Sequence, residues 1–244
     1  MAWRKIKPGW YLLALLFLYS LIITTALVRG NRQLRALQRA EVIEPAESEP
    51  AEFEPPPPQS LWFPVPGASV PQDAAYLPGA PRVYRRGVNQ GFDFYSEDAG
   101  VPISYGTPVV AAVDATVTRV DTDYEELGNA AWQDLLSEVS QNRADEAQLD
   151  RLRGRQLWLS TPSGRILRYG HLSSIRPGLA VGQEVYRGQV VGFVGNSGTD
   201  DGVAGTKRGA RLHFEVWEPD GTFFGQDLDE AGLRQAASSL FEGP

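Results

Sequence analysis

The chain contains no cysteine. Disulfides, thiolate metal sites and a cysteine nucleophile are therefore excluded, and any metal is left to histidine, carboxylates or weaker oxygen donors. Histidine is scarce as well: His171 and His213 are the only 2 in 244 residues, so an imidazole ligand or base has two possible positions. Positive charge is in the minority, with 23 Lys and Arg against 30 Asp and Glu, a formal net charge of -7 and a pI ≈ 5.0. No dense basic run occurs outside the flanks of the apolar N-terminal stretch, so nucleic acid is set aside as a partner.

What the chain does have, at its start, is a stretch without a formal charge over residues 8–28. At 1.5 Å per residue such a helix spans roughly 30 Å, the thickness of a bilayer's hydrocarbon core. A transmembrane helix is expected over 10–28, after a short flank at 1–9, with Trp10 and Tyr11 at the interface. A cleaved signal peptide fits less well, because the run is long and the small-residue signature before a cut after Ala26 is weak. Arg29, Arg32, Arg35 and Arg39 balance Arg4, Lys5 and Lys7, so charge alone does not orient the span. Residues 29–60 read as a juxtamembrane segment and a linker; the Pro- and Glu-rich part, 44–60, has little to bury and stays extended. One folded domain is expected over 61–244.

Within it, short apolar or alternating runs at 91–95, 108–120, 156–160, 166–171, 189–194 and 211–217 are separated by turn residues such as Asn196-Ser197-Gly198 and Asp220-Gly221. This pattern predicts a mainly β fold, an antiparallel sandwich or open barrel. Residues 124–153 break it. Leu127, Ala131, Leu135, Leu136 and Val139, then Ala147, Leu149 and Leu152, recur at helical spacing and predict one or two inserted helices. Such an insert either elaborates the packing over a sheet face or acts as a lid or partner surface.

The last predicted strand, Arg211-Leu212-His213-Phe214-Glu215-Val216-Trp217, alternates so that Arg211, His213 and Glu215 share one face. Together with Asn89-Gln90-Gly91-Phe92-Asp93 and Tyr169-Gly170-His171-Leu172, it resembles the lysostaphin/LytM-type zinc endopeptidases, which cleave peptide cross-links in peptidoglycan. Scaffold phrases such as Val181-Gly182-Gln183-Glu184 and Gly195-Asn196-Ser197-Gly198 extend the resemblance from about residue 85 to 217. It implies the LytM-type core fold, with zinc as the cofactor if the family's activity is retained. Family zinc-ligand positions fall on Asn89, Asp93 and His213, and family catalytic positions on His171 and Arg211.

Two of those five positions depart from the family pattern. Asn89 offers a neutral amide where a histidine is expected, a poor donor for zinc. Arg211 brings a permanent positive charge that repels a divalent cation and cannot act as a base. The expectation is a site without metal in which Arg211 pairs with Asp93. In the alternative, Asn89 itself, Glu215 or Asp200 completes a zinc site. The function expected is that of a membrane-anchored, catalytically inactive binding or regulatory module in cell-wall remodelling, single-pass in the cell membrane with its domain on the extracytoplasmic side. Its partners would be peptidoglycan, a wall hydrolase or another envelope protein. The alternatives are an active zinc-dependent peptidoglycan endopeptidase and a purely structural envelope protein that makes contact through the insert.

Overall fold

The structure, a computed structural model, describes residues 9–40 and 59–242. The chain divides into two compact units, Met1–Glu54 and Pro55–Pro244. In the first, helix α1 runs over Gly9–Ala40, so the expected span at 10–28 is helical. Among the described residues no helix is long and apolar enough to cross a membrane. Within that helix the side chains of residues 9–16 and 33–40 lie outside the described set, as do linker residues 41–58.

The second unit contains, in chain order, β1 (Leu61–Trp62), β2 (Pro81–Arg82), β3 (Gly87–Val88), β4 (Phe92–Phe94), β5 (Pro108–Val110) and β6 (Ala115–Val120). Two helices follow, α2 (Asn129–Gln141) and α3 (Glu146–Arg153). Then come β7 (Leu157–Ser160), β8 (Ile166–Gly170), β9 (Ser174–Ile175), β10 (Glu184–Val185), β11 (Val190–Phe193), α4 (Asp200–Val203), β12 (Leu212–Trp217), α5 (Glu230–Leu240) and β13 (Phe241–Glu242). Six strands form an antiparallel sheet in the order β10-β6-β7-β8-β12-β4. A second antiparallel sheet has the order β5-β11-β9, and β1 pairs with β13 in parallel. The mainly β, antiparallel expectation is met. The run at 108–120 is two strands rather than one, because residues 111–114 leave the ladder and carry the chain from one sheet to the other.

Alternation along the strands builds the core. Leu157 and Leu159, Leu167 and Tyr169, and Leu212, Phe214 and Val216 each expose at most 1% of their surface. Burying each such side chain contributes about 1.5–3 kcal/mol. The same two-residue period sends Asp93, His213, Arg168 and Glu215 to the opposite face. The register sets their neighbours: His213 lies across from Asp93 on β4 and Gly170 on β8, and Glu215 lies across from Arg168.

Gly91 makes this close approach of chains possible. A Cβ there would sit 2.4 Å from the carbonyl oxygen of Phe214, which backbone cannot absorb cheaply. Gly91→Ala is expected to cost about 1–3 kcal/mol or more and to lower Tm by roughly 4–10 °C in a thermal melt. An unchanged melt would show that the two strands can part without loss.

The insert is helical, as its periodicity predicts, in two pieces. Asp145 and Gln148 form a reciprocal capping box that starts α3. Trp132, Leu135, Val139, Leu149 and Leu152 pack into a cluster separate from the main core, while Ala131 and Ala147 are exposed. The apolar stripe of α2 is therefore set by Trp132 and not by Ala131.

Candidate metal centre and cleft

Asn89, Asp93, His171, Arg211 and His213 all line one cleft of about 420 Å³. Sequence motifs more than a hundred residues apart thus converge on one site.

His213 stands on β12 between two carboxylates. Its Nδ1 is 2.8 Å from Asp93 Oδ1 and its Nε2 is 3.0 Å from Glu215 Oε1. An ionised carboxylate only accepts, so both ring nitrogens carry protons and the ring is an imidazolium. Burial disfavours that charge, but Asp93 and Glu215 outweigh it and raise the imidazole above its ordinary value. The carboxylates respond in kind. Burial pushes Asp93 up, and His213, Arg211 and Arg82 together hold it well below the usual carboxylate range. Glu215 is likewise held low against burial, chiefly by Arg153 and His213.

His171 is the opposite case. It follows β8 with φ 56°, in the left-handed region, and its amide donates to Arg153 O at 2.7 Å. Nδ1 lies 2.7 Å from Ser197 O, and Arg211 Nη2 lies 2.8 Å from Nε2. The carbonyl requires a proton on Nδ1, and the guanidinium requires a lone pair on Nε2, so the ring is neutral. Burial and then the charge of Arg211 lower its pKa well below the ordinary value.

The expected pairing of Arg211 with Asp93 is present as an ion pair, while the hydrogen bond to that carboxylate comes from another arginine. Arg211 Nε stands 3.7 Å from Asp93 Oδ1, within ion-pair range but too far for a hydrogen bond. The guanidinium bonded to Asp93 belongs to Arg82, whose Nη2 is 2.6 Å from Oδ2. The hairpin of β2 and β3 delivers it there.

A second arginine, Arg153 at the end of α3, plays the same part for Glu215. Its Nε donates to Glu215 Oε1 at 2.7 Å, Nη1 to Glu146 at 3.0 Å and Nη2 to Gln90 at 2.8 Å. Arg168, stacked between the rings of Trp158 and Trp217 at 4.0 and 4.4 Å, adds a longer contact to Glu215 at 3.4 Å. Sequence reasoning missed Arg82 and Arg153. The cluster of arginines at 82, 85 and 86, just before the first motif, was the available signal for the former.

Catalytic zinc asks for three lone pairs from N, S or carboxylate donors, plus an open position. Asn89 turns its Nδ2 inward, donating to Leu77 O at 3.1 Å and Asp93 Oδ2 at 3.3 Å. At the three family ligand positions the cleft therefore presents an amide N–H, a carboxylate already bonded to three donors, and an imidazolium. This set does not fit a catalytic zinc. Neither substitute donor completes it: Glu215 is committed to Arg153, His213 and Trp217, and Asp200 accepts from Trp132 Nε1 at 2.6 Å. Among the described residues no group of three or more His, Asp or Glu is placed to hold a metal.

The insert forms the far wall. Trp132 and Leu136 of α2 and Leu149 and Leu152 of α3 face the cleft, so the same residues that build the satellite cluster also border the site.

The profile of peptidase family M23 matches residues 90–226. Several solved structures are similar at low identity. The catalytic domain of a mutant of the prophage-encoded M23 protein EnpA from Enterococcus faecalis is 23% identical, over 55% of this chain and 72% of that one, with a TM-score of 0.34. A zinc-containing peptidase from Vibrio cholerae is 22% identical, over 70% of this chain and 41% of that one, with a TM-score of 0.41. The catalytic domain of lysostaphin from Staphylococcus simulans is 19% identical, over 66% and 88%, with a TM-score of 0.38. No curated protein matches. The profile spans more than half of the chain and includes Asp93, His171, Arg211 and His213, with Asn89 one residue outside it; on that match the protein belongs to peptidase family M23.

Proposed function

We propose that this chain is a catalytically silent M23 domain that acts in cell-wall remodelling as a binding or regulatory module. The observation that carries the reading is the donor set at the three family ligand positions: Asn89 with its Nδ2 turned onto Leu77 O and Asp93, Asp93 bonded by Arg82, and His213 held between Asp93 and Glu215. Asn89 and Arg211 support it, one by offering an amide N–H and the other by donating to the lone pair of His171. Such a cleft can still hold a peptide along its walls. On this reading its partner is peptidoglycan, or a wall hydrolase or other envelope protein that works on peptidoglycan. The uncharged run at 8–28 supports a membrane tether through α1, with the Pro- and Glu-rich segment 44–60 as spacer and the domain on the outer side.

The test uses the full chain, equilibrated with zinc, dialysed and assayed for bound metal and for release of amino groups from purified peptidoglycan. The expected result is well under one zinc per chain, no cleavage, and co-sedimentation with the wall material or a changed rate of a wall hydrolase. One tightly held zinc with peptide-bond cleavage overturns the reading and makes the chain a zinc endopeptidase.

A further inference from the structure

Four arginines line the cleft: Arg82, Arg85, Arg153 and Arg211. Two are neutralised at short range, Arg82 by Asp93 at 2.6 Å and Arg153 by Glu215 at 2.7 Å. Arg211 has its carboxylate at 3.7 Å. Arg85 has no carboxylate within ion-pair reach among the described residues, although only 9% of its surface is exposed. It sits in a single helical turn, Val83–Arg85, at the tip of the β2-β3 hairpin, and Nη2 donates to Val88 O at 2.6 Å. That bond fixes the side chain. Its Nε and Nη1 have no hydrogen-bond partner among the described residues.

Neither of these nitrogens is sealed off inside the protein, so their N–H groups are open to an acceptor that enters the cleft, and a guanidinium with no counter-charge in a half-enclosed site is stabilised by an anion. Burial, the largest influence on Arg85, lowers its pKa; Tyr84 and Glu215 act against it, and Arg153 and Arg82 act with it. The guanidinium lines the cleft with N–H groups that no carboxylate of the described residues takes up. The carboxylates that border the cleft are already engaged: Asp200 accepts from Trp132, and Asp201 from Thr206 and Arg208. Across from these polar groups stands the apolar wall of Trp132, Leu136, Leu149 and Leu152. The volume of about 420 Å³ is within the range of small-ligand sites.

We propose that Arg85 anchors a carboxylate-binding site in this cleft, and that its ligand is a short peptide carrying a carboxylate beside an apolar side chain. The guanidinium donates to the carboxylate from the N–H groups that the bond to Val88 O leaves open, and the apolar side chain lies against the wall supplied by α2 and α3. The proposal rests on the metal-free reading of the site. A C-terminal carboxylate and an acidic side chain offer the same chemistry, and the experiment separates them.

Three probes are titrated calorimetrically into the full chain: N-acetyl-leucyl-leucine, its C-terminal amide, and N-acetyl-leucyl-glutamyl-leucine amide. At least one carboxylate-bearing probe is expected to bind about tenfold or more tighter than the uncharged amide. The tighter of the two identifies the source of the carboxylate. Arg85→Gln is expected to abolish that preference, and Arg85→Lys to keep part of it. Equal binding of all three probes, binding unchanged in Arg85→Gln, or no binding up to about 10 mM overturns the proposal. Should Arg85→Gln fail to fold, the comparison of charged and uncharged probes on the unaltered chain decides alone. Zinc is assayed on the same samples. A zinc-free chain indifferent to the carboxylate sinks this proposal only, whereas one bound zinc per chain overturns the metal-free reading and this proposal together.

Discussion

Glu215→Gln should destabilise the domain by about 3–5 kcal/mol, the cost of breaking a buried ion pair from one side. In a domain of this size that corresponds to a drop of about 10–15 °C in Tm. The effect is large because Glu215, 1% exposed, answers several donors at once. Arg153 and His213 share Oε1, at 2.7 and 3.0 Å, and Trp217 Nε1 reaches Oε2 at 2.6 Å. With a neutral amide in its place, Arg153 keeps only the exposed Glu146 and His213 only Asp93, a carboxylate it already shares with Arg82 and Asn89. Gln also carries an NH2 that must point at a donor. Adding Arg153→Met to Glu215→Gln should recover part of the loss, because it removes the stranded guanidinium. A single-variant loss under about 1 kcal/mol would falsify the view that this pair holds the polar face together.

The second expected result is a gain. Asn89→His with Arg211→His should convert the site into one that binds one zinc per chain, at least about a thousandfold tighter than the unaltered chain. The change at 89 replaces an amide N–H with an imidazole lone pair beside Asp93. The change at 211 removes a guanidinium which, about 4 Å from a divalent ion at an effective dielectric of about 20, costs about 8 kcal/mol. The remaining pieces are in place. With a metal to bind, His213 would give up one proton and keep the other toward Glu215, whose carboxylate would orient the ring. Asn89→His alone should bind more weakly, since the positive charge stays. Metal analysis after dialysis reads the series. No zinc on the double variant would mean that Arg82, bonded to Asp93 at 2.6 Å, blocks the site more firmly than the two substitutions open it.

The fold was legible where alternation is strict. Leu212 to Val216 announces its strand because Leu212, Phe214 and Val216 make one face apolar while His213 and Glu215 make the other polar. The stretch 108–120 misleads because Val109 to Val113 is apolar without interruption, so nothing in the pattern marks where the chain leaves one sheet for the other. Asp93, His171 and His213 were found through their motifs, and the structure brings them into one cleft. The arginines that balance them were not found, because an ion pair has no period. Arg82 precedes Asp93 by 11 residues and Arg153 precedes Glu215 by 62. Arg211 was the natural choice for Asp93 because it lies two residues from His213 on the same strand face, yet position along a strand does not reveal which nitrogen a guanidinium will spend on which neighbour.

The insert carries one more consequence. Helices α2 and α3 hang between two strands, β6 and β7, that pair with each other directly, and they hold themselves together with a cluster of their own. Such a segment behaves as a cassette: its length and the residues it shows to the cleft can be exchanged between descendants of this chain without rebuilding the sheet. The exchange has one fixed pin. Arg153, the last residue of α3, neutralises Glu215 through its side chain and receives the amide of His171 on its carbonyl. Any replacement wall must therefore end in an arginine at that point, and the cleft can diversify in what it recognises only through the residues that precede it.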